Sequence, residues 1–216
     1  MSLLGTRRER RKMVRRDLES RGVSDKRVLA AMDSVLRECF VLPEMQHLAY
    51  ADQPLPIGHD QTISQPYIVA LMTELACLSR HSRVLEVGTG SGYHTAVLAT
   101  IAEHVWSIER IEELSSHAQR RLTALGIRNV TLLVGDGARG LPESSPFDAI
   151  VVAAAAPEPP QPLLDQLALD GRLVIPIGDR AVQVLYSVER TPDGFRNHTS
   201  GPCRFVPLVS PHAFTH

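Results

Sequence analysis

Strands and helices alternate along the second half of this chain, which predicts an α/β protein: a mostly parallel sheet with helices on both faces and an N-terminal helical extension. Three observations carry the prediction. Short apolar runs recur from residue 83 onward, most of them followed by a segment of helical period. A glycine-rich turn joins the first of these strands to a helix. Acidic residues, Glu109 and Asp136, then stand at the ends of the next two strands. The 216 residues, 44% hydrophobic and 22% charged, are enough to bury a core without disulfides or metal.

Taken in order, Arg7 to Arg16 hold seven basic residues against Glu9 and read as a solvated, partly frayed helical arm. Ser24 stands as N-cap to a helix with Val28, Leu29, Met32, Val35 and Leu36 on one face. Phe40 to Gln65 is irregular, broken by Pro43, Pro54, Pro56 and Gly58, while Tyr50, Leu55 and Ile57 mark it as ordered and functional. Ser64 opens the next helix, through Ile68, Val69, Leu71, Met72 and Leu75. Strands are expected at Val84–Val87, Val105–Ile108, Val130–Val134, Ala149–Ala153 and Leu173–Ile177, with helices at Tyr93–Ala102, Ile111–Leu125 and Pro162–Leu169. Ala153–Pro162 follows a strand's carboxyl end, where α/β sheets bind ligands. Two closing strands, Val182–Val188 and Phe205–Leu208, are joined by a turn at Pro192-Asp193-Gly194. The chain divides into an N-terminal helical region with an active-site loop, 1–82, packed on a core at 83–216.

Composition excludes several classes. A net charge of −1 argues against a nucleic-acid partner held by phosphate neutralisation. No apolar run reaches the ~18 residues of a membrane span. Cys39, Cys77 and Cys203 are far apart, and the nine histidines lack ligand spacing, so neither disulfides nor a metal is expected. No apolar segment follows the N-terminal charges, so no secretory signal is expected and a cytoplasmic monomer is.

The turn Glu86-Val87-Gly88-Thr89-Gly90-Ser91-Gly92-Tyr93 spaces its glycines G-x-G-x-G, unlike the G-x-G-x-x-G of dinucleotide sites. With Glu86 just before it, the turn suits a ligand that carries an amino group and no phosphate, such as S-adenosyl-L-methionine. Glu109, 21 residues after Gly88, can accept from two ribose hydroxyls, and Asp136 in Gly135-Asp136-Gly137 can accept from an adenine amino group. Glu86, Gly88, Thr89, Gly90, Gly92, Glu109, Asp136 and Gly137 form the expected cofactor set.

These residues, with Tyr50–Gly58, the run Gln61-Thr-Ile-Ser-Gln-Pro-Tyr67, Pro146–Ile150 and Phe205-Val-Pro-Leu208, resemble the protein-L-isoaspartate O-methyltransferases, which have the Rossmann-like class I methyltransferase fold. The resemblance runs from about Met13 to Leu208. It implies methyl transfer from S-adenosyl-L-methionine to the α-carboxylate of an L-isoaspartyl residue in a damaged protein or peptide, after which the ester cyclises to a succinimide. A carboxylate is ionised at neutral pH, so no strong general base is needed. The resemblance makes Ser64 the active-site serine, sets Gln61, Thr62 and Ile63 beside the cofactor, and assigns substrate contacts to Ile57, Val206 and Leu208. It also implies that the Phe205–Leu208 backbone pairs with substrate peptide. Three residues depart from the family pattern: Asp60 where glycine is usual, Ala153 for threonine and His94 for glutamine. Two other readings accompany this one: a same-fold enzyme that modifies a normal aspartate in a dedicated peptide, and a module that binds isoaspartyl proteins without turnover. The glycine spacing disfavours an NAD-dependent oxidoreductase.

Overall fold

The computed structural model describes residues 3–214. Its first part runs α1 (Leu3–Met13), α2 (Lys26–Ser34), a hairpin of β1 (Leu55–Gly58) and β2 (Gln61–Ile63), and α3 (Pro66–Leu75). The α/β part follows as β3 (Arg83–Val87), α4 (Tyr93–Ile101), β4 (His104–Glu109), α5 (Glu112–Ala124), β5 (Val130–Val134), β6 (Phe147–Val152) and α6 (Gln161–Asp165). It closes with β7 (Leu167–Gly178), β8 (Gln183–Thr191) and β9 (Gly194–Cys203).

Seven strands form one sheet in the order β5-β4-β3-β6-β7-β8-β9. From β5 to β7 neighbours are parallel; β8 and β9 add on antiparallel. Chain order reverses direction at the β3–β6 boundary, the crevice where sheets of this kind accept ligands.

Alternate residues of the strands feed two cores. Val84, Val105, Val151 and Val174 pack with residues of α1 to α5, whereas Leu85, Val87, Ile150 and Val152 pack with Leu163, Phe147 and Leu208 on the opposite face. Burial on both faces is why these strands read as continuous apolar runs. Each fully buried Val or Leu contributes about 1.5–3 kcal/mol.

The N-terminal part is more firmly built than its sequence suggests. The expected frayed arm is packed: α1 runs through a five-residue π-helix, Val14–Leu18, and buries Met13 and Leu18 almost completely. Arg10 turns inward to Tyr50 and Asp33, while Arg7, Arg8, Arg11 and Lys12 stay exposed. The N-cap of α2 is Asp25, which accepts from the Arg27 N–H; the expected cap, Ser24, donates instead to Glu74. Arg37 is wholly buried, donates from Nε to the Ala49 carbonyl and lies over the Tyr93 ring at the start of α4.

Two expectations near the C-terminus need correction. The helix expected at Pro162–Leu169 is the five-residue α6, because β7 begins at Leu167, opposite Phe147. The second closing strand is Gly194–Cys203, paired with β8 through the expected turn. Phe205–Leu208 is an irregular segment tied to Ala155: the Ala155 N–H donates to the Val206 carbonyl at 2.8 Å, and the Leu208 N–H donates to the Ala155 carbonyl at 2.7 Å.

Candidate active site

The turn after β3 and the carboxyl ends of β4 and β5 surround a cavity enclosing about 900 Å³ of empty space, its mouth included. Within the turn Gly88 and Gly90 have φ of 94° and 53°. A Cβ at Gly90 would make ordinary contact with Ile57 Cδ1 at 3.4 Å, so the β1–β2 hairpin lies directly on the turn and it is the positive φ that favours glycine there.

Two carboxylates are fixed here by backbone donors. Glu109 accepts from the Gly90 N–H through Oε2 at 2.9 Å and from the Ile111 N–H through Oε1 at 3.0 Å, which locks the turn to the end of β4. Asp136 caps a short 3-10 turn by accepting from the Ala138 N–H, and its other oxygen accepts from the Ser210 hydroxyl at 2.7 Å. Each carboxylate oxygen has a further lone pair, so both groups can still accept from a ligand. Gly137 lines the cavity, and its own packing demands glycine: a Cβ there would sit 2.3 Å from Val87 Cγ1.

Gln61, Thr62, Ile63, Ser64, Gly88, Thr89, Gly90, Glu109, Asp136, Gly137, Val206 and Leu208 all meet in the lining. Ile57 stands behind Gly90. Two expected cofactor residues are elsewhere. Gly92 is the N-cap of α4, φ 88°, and its missing side chain permits contact with Ala118 of α5. Glu86 is fully buried beneath the turn, where Oε2 accepts from the Thr95 and Ser107 hydroxyls and Oε1 has no partner. Ser107 in turn shares a 2.6 Å hydrogen bond with Thr89, so Glu86 reaches the cavity only through two hydroxyls. Burial pushes its carboxyl up to about 7. Sequence spacing put Glu86 at a strand end; the strand's alternation turned it toward α4.

The opposite wall is made of loops. The β1–β2 hairpin turns through His59 and Asp60, both with positive φ, 53° and 55°. Asp tolerates that left-handed conformation better than most residues with a side chain. Ser64 does not cap α3. The N-cap is Gln65, which makes no side-chain cap, and the Tyr67 N–H is taken by Asp52 Oδ1 at 2.9 Å. Asp52 itself pairs with Arg21, whose guanidinium stacks on Tyr67. The Ser64 hydroxyl is thus released from structural duty.

Sequence reading gave His94 no role in the site and missed Arg110 and Ser210. Of the three only His94 carried a signal, as a departure from glutamine two positions beyond the last glycine of the turn. It is buried, its pKa is pushed down to about 4 by burial, and its Nε2 lies 3.0 Å from Thr73 Oγ1.

The donor set fits S-adenosyl-L-methionine. Charged groups in the lining are two carboxylates and one guanidinium, Arg110, with no cluster of cations for phosphates. Among the described residues no group of three or more His, Cys, Asp or Glu could hold a metal.

Comparison with known proteins agrees. The family model described as protein-L-isoaspartate(D-aspartate) O-methyltransferase matches residues 8–213. Protein-L-isoaspartate O-methyltransferase 1 of Syntrophobacter fumaroxidans is 51% identical over 96% of this chain and 97% of its own. The protein-L-isoaspartate O-methyltransferase of Methanoregula boonei is 50% identical over 95% of each chain. Among solved structures, a protein-L-isoaspartate O-methyltransferase superposes with a TM-score of 0.83 at 30% identity, over 94% of this chain and 67% of its own. A Plasmodium falciparum chain assigned to the same enzyme class, solved with S-adenosyl-L-homocysteine, gives 0.80 at 29% identity over 93% and 98%.

Proposed function

The chain belongs to the protein-L-isoaspartate(D-aspartate) O-methyltransferase family, and on that premise we propose how its cavity divides the work. The reaction transfers a methyl group from S-adenosyl-L-methionine to the α-carboxylate of L-isoaspartyl residues in damaged proteins. Bound S-adenosyl-L-methionine supplies an electrophilic methyl on a sulfonium. Glu109 receives the ribose hydroxyls and Asp136 the adenine amino group, while Gly88, Thr89 and Gly90 let the methionine portion lie on backbone. Gln61, Thr62 and Ile63 cover it.

Ser64 orients the substrate carboxylate. One observation carries this assignment: Ser64, with Thr62, Ala153, Val206 and Pro207, lines both the cofactor cavity and a second, open cleft that also includes Phe205, Arg204 and Arg180. A peptide in that cleft reaches the cofactor past the Ser64 hydroxyl. Rate enhancement then comes from holding one carboxylate oxygen in line and from excluding water, with no side chain needed as base. Ile57, Val206 and Leu208 frame the substrate's passage. Pairing of peptide with the 205–208 backbone is restricted, because Ala155 already takes the Val206 carbonyl and the Leu208 N–H and Pro207 has no N–H.

No helix among the described residues is long and apolar enough to cross a membrane. Three free thiols suit a reducing cytoplasm, and we take the working form to be a monomer that needs neither nucleic acid nor membrane. The test of function uses labelled cofactor and matched peptides that differ only in aspartate against isoaspartate. Labelling of the isoaspartyl peptide alone is expected. Equal or better labelling of the normal peptide would instead make this a tailoring enzyme, and binding without labelling a recognition module.

A further inference from the structure

With Glu86 removed from the cavity wall, the amino group of a bound methionine moiety lacks the carboxylate that the sequence offered it. The structure contains another acceptor. His94 is the second residue of α4 and lines the cavity beside Ser64, Thr62 and Val69. Its tautomer follows from its neighbour. The Thr73 hydroxyl hydrogen is committed to the Val69 carbonyl at 2.7 Å, so Thr73 Oγ1 can only accept at its 3.0 Å contact with His94 Nε2. Nε2 therefore carries the proton, and Nδ1 carries a lone pair. Nδ1 takes no hydrogen bond from a described residue, yet it is not among the buried side-chain atoms left without a partner. His94 is 9% exposed, and the residue lines the cavity wall. Burial keeps the ring uncharged at neutral pH. An uncharged imidazole with its lone pair forward cannot bind a carboxylate, does not repel a sulfonium, and is suited to an ammonium donor.

We propose that His94, held in one tautomer by Thr73, accepts a hydrogen bond through Nδ1 from the amino group of the cofactor's methionine moiety and so positions it against Ser64. This rests on the cavity holding S-adenosyl-L-methionine, as above. It makes His94 a binding residue and Thr73 a positioning residue, with Glu86 acting only on the turn beneath.

The test is calorimetric and needs no turnover. S-adenosyl-L-homocysteine and its analogue lacking the amino group are titrated into wild type, His94→Ala and His94→Gln. A hydrogen bond to a charged donor is worth about 1.5–3 kcal/mol, or roughly tenfold to a hundredfold in affinity. His94→Ala is expected to lose about that factor for S-adenosyl-L-homocysteine and almost nothing for the analogue. His94→Gln, whose amide carbonyl can accept, should recover much of the loss and also guards against misfolding of the alanine variant. Equal losses for both ligands in both variants would show that His94 only shapes the cavity, and unchanged affinities would remove it altogether; either result overturns the proposal. Failure of wild type to bind either ligand would overturn the cofactor reading beneath it, an outcome distinct from the other two.

Discussion

The two walls of the cavity face each other and are built by different means. One wall is the carboxyl edge of β3, β4 and β5, with Glu109 and Asp136 locked by backbone N–H groups and the turn stitched to them. The other is a hairpin with two left-handed residues, the start of α3, and the 205–208 segment hung on Ala155. The first wall inherits its order from the sheet. The second depends on a few side chains far away in sequence, notably Asp52 and Arg21. A reaction that holds one ligand rigidly and must admit many different peptides suits that asymmetry.

Damage to the sheet wall should be the most costly. In Gly137→Val the added methyls would drive into Val87, and overpacking at a rigid core site should cost about 3 kcal/mol or more. Denaturant titration should show the destabilisation, and calorimetry a loss of S-adenosyl-L-homocysteine binding. Wild-type stability and affinity in this variant would remove the difference between the walls.

A second, somewhat smaller effect concerns pH. His94 has a folded pKa of about 4 against 6.5 unfolded, so between those values the unfolded chain binds the extra proton and stability rises with pH. Glu86 has a folded pKa of about 7 against 4.5 unfolded, so the folded chain binds the extra proton and stability falls as pH rises. The windows overlap from pH 4.5 to 6.5, and these two contributions oppose each other there. Denaturant midpoints should show it: relative to wild type, Glu86→Gln should gain stability as pH rises across the overlap and His94→Gln should lose it, each by up to about 3 kcal/mol. Parallel profiles for all three proteins would contradict both assignments.

The smallest effect on the fold, and the one that sharpens the contrast most, is Ser64→Ala. Because Gln65 and Asp52 start α3 without Ser64, stability should be nearly unchanged. Single-turnover methylation should fall by tenfold for each ~1.4 kcal/mol of lost transition-state stabilisation, with cofactor affinity intact. Full activity in this variant would leave the loop wall without a catalytic group.

These differences also explain what the sequence revealed. Strands β3, β4 and β6 are largely buried on both faces and read as apolar runs within one or two residues of their ends, while the edge strand β5 was legible from its Val and Leu content although it is only part-buried. The placement of Gly88, Gly90, Glu109 and Asp136 around one cavity was legible because a strand end fixes where its next residue points. Glu86 was misread because strand alternation, not distance from the turn, decides which face a side chain takes. The start of α3 was placed at Ser64 rather than Pro66 for another reason: the group that takes the Tyr67 N–H lies 15 residues upstream, beyond any local pattern. β9 was invisible because Gly194–Cys203 is exposed along most of its length and has no apolar alternation.

That exposed strand also governs what happens when two molecules meet. A sheet that stops at a flat, apolar edge invites another chain to continue it. Here the outermost strand carries Arg196, Asn197 and His198, slips register against β8 between Val184 and Tyr186, and holds Pro202, which offers no N–H, one residue before its end. An approaching strand would find charge, a kink and a missing donor in succession. An enzyme that works among damaged, partly unfolded chains is thereby less prone to be recruited into their aggregates.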